Sequence, residues 1–223
     1  MSATRHAGWT GLLAAALAHD INNLAQGLAS AQRLTRPGAG HDLDVAEWAA
    51  FVDADVDRLR TLGIRVRALA MAAESRAMSA LLDDACTAAL AEVDRPDGRV
   101  QRAPSLAPGV RVRGTPAAVT AAIASLIEHA IGASPTGASI DLAVRSADGA
   151  VIVEVAAPAA SMSTTSPIER ARLDALLDTA LRDRRGDFTL VLPGAVADAL
   201  GGAVYCSWDA ARGLVLELLL AAA

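Results

Sequence analysis

The sequence predicts an α+β protein: a dimeric helical hairpin, forming a four-helix bundle in the dimer, followed by an α/β sandwich. Three observations predict it. Leu17, Ile21, Leu24, Leu28 and Ala31 recur at spacings of four, three, four and three, the seam of a coiled-coil-like helix. After the breaker Arg36-Pro37-Gly38-Ala39-Gly40, Val45, Trp48, Val52, Val56, Leu59, Leu62, Val66 and Leu69 repeat at threes and fours. From about residue 78 the pattern changes to short apolar or alternating runs separated by turn signals. Residues 1–76 therefore read as the hairpin and 77–223 as the sandwich. Two amphipathic helices cannot bury wide apolar faces on each other alone, so a second hairpin, and hence a homodimer, is expected.

The remaining elements follow in order. Asp53, Asp55, Asp57, Arg58 and Arg65 fall largely outside the apolar stripe of the second helix. Ser79 to Val93 looks helical, and Val100 and Val110 to Val112 are short strand candidates. Thr115-Pro116 supplies an N-cap residue and a proline at the first helical position, opening a helix to about Ala133. Ser139 to Val144 and Ala150 to Val155 flank Ala147-Asp148-Gly149 as a hairpin. Ile168 to Leu181 reads as an amphipathic helix. Pro193 to Leu200 is another, closed by Gly201-Gly202. Val204 to Trp208 and Leu214 to Leu220 form a last hairpin around Asp209 to Gly213, giving a sheet with helices on one face.

Composition narrows the classes. The 223 residues are 53% hydrophobic and 20% charged, enough to bury a core. Much of the apolar content is alanine, which favours close-packed helices. All 20 basic side chains are arginine, spread evenly, and the net charge is -5, so nucleic acid is not the expected partner. Cys86 and Cys206 lie far apart, with neither metal-ligand nor disulfide spacing. Arg5 before the apolar run Gly11 to Ala18, with Ala16-Leu17-Ala18, imitates a signal sequence, but helical periodicity runs unbroken through it. No stretch reaches the ~20 apolar residues that span a bilayer. A cytoplasmic protein without membrane contact is the expectation.

One stretch carries chemistry. In LAHDINNLAQGL, residues 17–28, positions 19, 22, 23 and 26 share a helix face opposite the leucine seam. His19 is thus expected on the outer surface, with Asn23 one turn on and Asp20 about 100° around the helix, close enough to orient the imidazole. Imidazole offers a free ring nitrogen near neutral pH, and a neighbouring carboxylate stabilises the ring as it turns positive during attack. His19 attacking a phosphoryl group would give a phosphohistidine whose group can be passed on. The plain alternative is a solvated helix face. A His-Asp metal phosphohydrolase drawing on His41-Asp42 and His6 is a third reading, weakened because His41-Asp42 falls in a turn. His6 and His129 read as structural.

The same stretch resembles the H-box of sensor histidine kinases, His-acid-x-x-Asn/Thr on the first helix of a dimeric phosphotransfer (DHp) hairpin. His19, Asp20 and Asn23 match it, with Leu24 where the family often has proline. The rest is similar in layout to the kinase ATPase (HATPase) domain. Gly114-Thr115-Pro116 with SLIEHAIGAS, the strand hairpin, ALGGAV and the last hairpin occur in family order. The nucleotide residues implied by that resemblance are replaced. Ser125 and His129 stand at the N-box asparagines. Ala157, Ala159 and Ser161 replace Asp-x-Gly-x-Gly, and Asp187-Phe188-Thr189 replaces the later Gly-x-Gly. Alanine cannot accept the adenine hydrogen bond, and Asp187 puts negative charge beside phosphates. The mobile ATP lid is replaced by the expected helix from Ile168.

The resemblance therefore implies a degenerate HATPase-like sandwich and a kinase-derived histidine phosphotransferase of the ChpT-like kind, without ATP. His19 would accept phosphoryl from the aspartate of a response-regulator receiver domain and pass it to another. Asp20 would orient the ring, and Asn23 would hold the phosphoryl group or a water. Asn22 and Gln26 would contact the receiver, and Mg²⁺ would sit on the receiver's acids. A non-catalytic kinase-like adaptor, a response-regulator phosphatase using Asn23, and a divergent sensor kinase share these residues as alternatives.

Overall fold

The protein is described by a computed structural model covering residues 3–34, 45–74, 77–93, 99–103, 109–147, 149–158, 168–179, 181–184, 186–209 and 211–223. Two long helices come first, α1 (Ala3–Leu34) and α2 (Val45–Glu74). They precede β1 (Ser79–Leu81), α3 (Leu82–Val93), β2 (Val100–Arg102), β3 (Arg111–Arg113) and α4 (Pro116–Ala133). The chain continues through β4 (Ile140–Ala147), β5 (Ala150–Ala157), β6 (Ile168–Arg172) and α5 (Leu173–Asp178). It ends with α6 (Phe188–Ala199), β7 (Ala203–Asp209) and β8 (Gly213–Ala221). A helical hairpin followed by a mixed α/β sheet unit is the α+β class expected. The breaker at 36–40, His41, Asp42, Ala159 and Ser161 lie outside the described residues, as does Asp148.

Among the described residues six strands form one sheet in the order β2-β4-β5-β8-β7-β6. The β2–β4 pair is parallel and every other neighbour antiparallel, while β1 and β3 make a separate antiparallel ribbon. Alternation divides β8: Leu214, Leu216, Leu218 and Leu220 are buried toward the helices, whereas Glu217 points the other way and meets Arg145 and Arg170. Helices α4 and α6 cover the apolar sheet face. α4 is long and apolar enough in composition to cross a bilayer, but here it is the central core helix and most of it is buried. Its start is fixed by Thr115, whose hydroxyl accepts the Ala118 N–H at 3.2 Å. Gly114, just before it, has φ +119°, and a Cβ there would stand 2.8 Å from Leu200 Cδ1.

The hairpin does not stand free of the sandwich. α1 packs on α6, and α2 packs on α4 and α6, so Trp9, Ala16, Leu62, Ala68 and Ala72 join the same core as the sheet. Trp9 lies over Gly194 of α6, where an added Cβ would stand 2.0 Å from Trp9 Cη2. Glycine is needed there for close approach.

Several expectations are corrected. Ile168 to Leu181 is not one helix but the edge strand β6 followed by the two-turn α5; pairing with β7 outweighs its helix-like spacing. Ser79–Leu81 is a strand because it pairs with β3. α6 begins at Phe188 rather than Pro193, because Asp187 caps it by accepting the Thr189 N–H at 3.0 Å. Asp55 and Arg65, read as lying outside the apolar stripe, are 8% and 3% exposed. Arg65 is buried because it donates to Glu92 at 2.7 Å and to Glu128 at 2.5 Å, joining α2 to α3 and α4. Burial lowers the affinity of its guanidinium for a proton, but the two carboxylates outweigh that and hold it above its ordinary value. Of the expected apolar stripes, Ile21, Val45 and Leu59 are exposed.

Candidate functional site

His19 sits midway along α1, in a stretch from Leu12 to Gln26 free of glycine and proline, the residues that weaken or kink a helix. It is exposed, as are Asn22, Asn23 and Gln26, and Asp20 is half-buried. The shared face expected of these residues is present. Asn23 Nδ2 lies 3.1 Å from His19 Nε2. With the amide donating, Nε2 carries the lone pair and Nδ1 the proton. The structure thus pairs the ring with Asn23, while Asp20 acts on it through charge. Burial raises the Asp20 pKa above the ordinary carboxylate value and the charge of Asp187 adds to the rise, against the opposing pull of His19 and Arg58.

Asp187 belongs to the other half of the molecule, and local spacing gave no sign that it approaches the helix-one site. The loop before α6 runs beside the imidazole: a Cβ built on Gly186 would stand 3.5 Å from His19 Cγ and Cδ2. The next residue, Asp187, is the N-cap of α6. Its carboxylate accepts the Thr189 N–H, and the Thr189 hydroxyl at 2.5 Å. His129 Nδ1 lies 3.1 Å from its other oxygen and 3.2 Å from Thr189 Oγ1. Burial alone would raise the Asp187 pKa, but the hydrogen bond and charge of His129, with the Thr189 bonds, hold it below the ordinary range. His129 and Asp187, two of the replaced nucleotide positions, are therefore spent on each other.

Two more of the positions that the resemblance assigns to the nucleotide fall within the described residues. Ser125 is fully buried and its hydroxyl has no partner among the described residues, and Ala157 is buried at the end of β5. Cys86 and Cys206 are buried, which pushes their thiols up to about 11 and about 12, so both stay protonated and unreactive near neutral pH. Among the described residues no three His, Cys, Asp or Glu side chains stand together as metal ligands.

Comparison with known proteins agrees on architecture. No family model matches the chain, and no curated protein matches it. Solved structures do. Acinetobacter baumannii histidine kinase AdeS superposes with TM-score 0.62 at 14% identity, covering 91% of this chain and 97% of that one. Mycobacterial sensor histidine kinase MprB gives TM-score 0.52 at 15% identity over 65% of this chain and 97% of its own. ShkA, solved full-length in complex with AMPPNP, gives 0.54 at 15% identity over 95% of this chain, which spans 46% of ShkA. At such identities the likeness is one of fold: a helical hairpin and α/β sandwich arranged as in histidine kinases.

Proposed function

We propose that this chain is a histidine phosphotransferase of a two-component phosphorelay, carrying the phosphoryl group on His19. The observation that carries the proposal is an exposed imidazole whose Nε2 lies 3.1 Å from the Asn23 amide nitrogen, beside a molecule half in which His129 and Asp187 are paired with each other. A receiver domain docks on α1 through Asn22 and Gln26, and its phospho-aspartate comes in line with Nε2. The lone pair attacks phosphorus, so that the N–P bond forms as the acyl O–P bond breaks. The aspartate carboxylate leaves with the bonding pair. The Nδ1 proton stays on the ring, whose positive charge Asp20 offsets, and Asn23 swings from Nε2 to a phosphoryl oxygen. Transfer to a second receiver reverses these steps. Mg²⁺ is expected on the receiver's acids rather than here.

The residues at the nucleotide positions do not fit ATP. Ala157 offers no acceptor for an adenine amino group, and Asp187 puts a carboxylate where triphosphate needs backbone donors. Uncovered apolar side chains on the hairpin, Ile21 at 48% and Ile64 at 66% exposure with Leu59 and Met71, support pairing with a second copy as a homodimer. The Asn23 amide beside the ring equally suits directing a water, which makes a receiver phosphatase the second reading.

The test is transfer of labelled phosphoryl from a phosphorylated receiver domain. Wild type is expected to gain label and His19→Ala to gain none. Loss of receiver label with no labelled intermediate supports the phosphatase, and binding without either supports an adaptor. Label taken directly from ATP overturns the reading.

A further inference from the structure

An acid of the sandwich, Asp187, directly follows the glycine that lies beside the His19 ring. Gly186 rests on the imidazole, and Asp187 follows it as a fixed charge rather than a roaming surface carboxylate. Three contacts hold it: the Thr189 N–H, the Thr189 hydroxyl and the His129 ring. Its field reaches α1, since Asp20 feels it. Asp187 also occupies the N-terminus of α6, whose free N–H groups and dipole would otherwise favour a nearby anion.

We propose that Asp187 is a positioning residue of the His19 site, contributed by the sandwich, that disfavours a resting phosphohistidine and so biases the phosphoryl group outward to a receiver aspartate. The inference rests on the phosphotransfer reading above. A phosphoryl group on Nε2 brings about -1.5 to -2 charge to a place already flanked by Asp20 and Asp187. Like charges so arranged raise the free energy of the phosphorylated state more than that of the unmodified one. Neutralising Asp187 while keeping the α6 cap removes that repulsion and leaves the packing in place.

The experiment equilibrates the full-length chain with a phosphorylated receiver domain and measures the ratio of phosphohistidine to phosphoaspartate. Asp187→Asn keeps the shape and a capping side chain and is expected to raise that ratio about three- to tenfold, the scale of a screened like-charge pair at a surface. Asp187→Glu keeps the charge and is expected to stay within twofold of wild type, which a merely structural role would not require. Asp141→Asn, an equal charge change on the exposed side of β4, leaves the ratio unchanged. The Asp187→Asn effect shrinks as salt rises from about 0.05 to 0.5 M. Equal ratios in wild type and Asp187→Asn, or a lower one in the variant, sink this inference alone. No label on wild-type His19 sinks the transfer reading and this inference with it.

Discussion

At the scale of single residues, the site is a contest between carboxylates. The charge of Asp187, on the sandwich, acts on Asp20 of the hairpin, and the proton affinities of the two move in opposite directions. A carboxylate whose folded pKa is raised is charged at a cost at neutral pH, and that cost is relieved as pH falls through the folded value. Asp20 is of this kind. One whose folded pKa is lowered contributes stability that is present above its unfolded value and lost as pH falls through the folded one. Asp187 is of this kind. Asp20→Asn is therefore expected to raise the melting temperature at pH 7 by about 1–2 °C, and Asp187→Asn to lower it by about 2–4 °C. The Asp20 difference fades as pH falls through its raised value toward about 4, whereas the Asp187 difference persists to about 4 and fades only below it, as pH falls through its lowered value. Melting curves at pH 7, 5 and 4 check the signs, and a destabilised Asp20→Asn protein at pH 7 contradicts the burial-and-repulsion account.

At the scale of elements, the decisive contact is Trp9 of α1 against Gly194 of α6. A Cβ at Gly194 would fall 2.0 Å from one ring carbon and 2.5 Å from two more. Neither an indole nor a helix backbone yields that much. Gly194→Ala is expected to cost about 1–3 kcal/mol by overpacking and to loosen α1 from α6. Acrylamide quenching of tryptophan fluorescence would then rise, as Trp9 leaves its buried place; unchanged quenching and melting would show the contact to be dispensable. Sequence patterns reached α1, α2, α4 and the two strand hairpins because each rests on a local period or a local turn. They missed β6, since Ile168, Leu173, Leu176 and Leu177 fit a helical stripe, and only the β7 partner decides otherwise. His19, Asp20 and Asn23 were legible because they sit within five residues on one helix. Gly186 and Asp187 were not, because nothing local says which surface a loop far along the chain will touch.

At the scale of the whole molecule, Arg65 joins α2 of the hairpin to α3 and α4 of the sandwich, and on the phosphotransfer reading proposed above this ties stability to His19. Its guanidinium is buried between α2, α3 and α4, while its partners Glu92 and Glu128 keep 32% and 35% of their side chains exposed. Removing one member of a buried ion pair leaves uncompensated charge, but carboxylates this accessible are partly rescued by water. Arg65→Met is therefore expected to cost about 1–2 kcal/mol and lower the melting temperature by about 2–8 °C. The further consequence is functional. If α2 loosens from α3 and α4, the sandwich shifts relative to the hairpin, and Asp187 withdraws from His19. Arg65→Met should then raise the phosphohistidine-to-phosphoaspartate ratio in the same direction as Asp187→Asn, although it alters a different contact. Because both act by removing one repulsion, the double variant should gain less than the two single effects combined. Full additivity of the two, or an Arg65→Met ratio equal to wild type despite the lower melting temperature, would separate the ionic link from the site. The Arg65 contacts would then hold the fold together without any bearing on where the phosphoryl group rests.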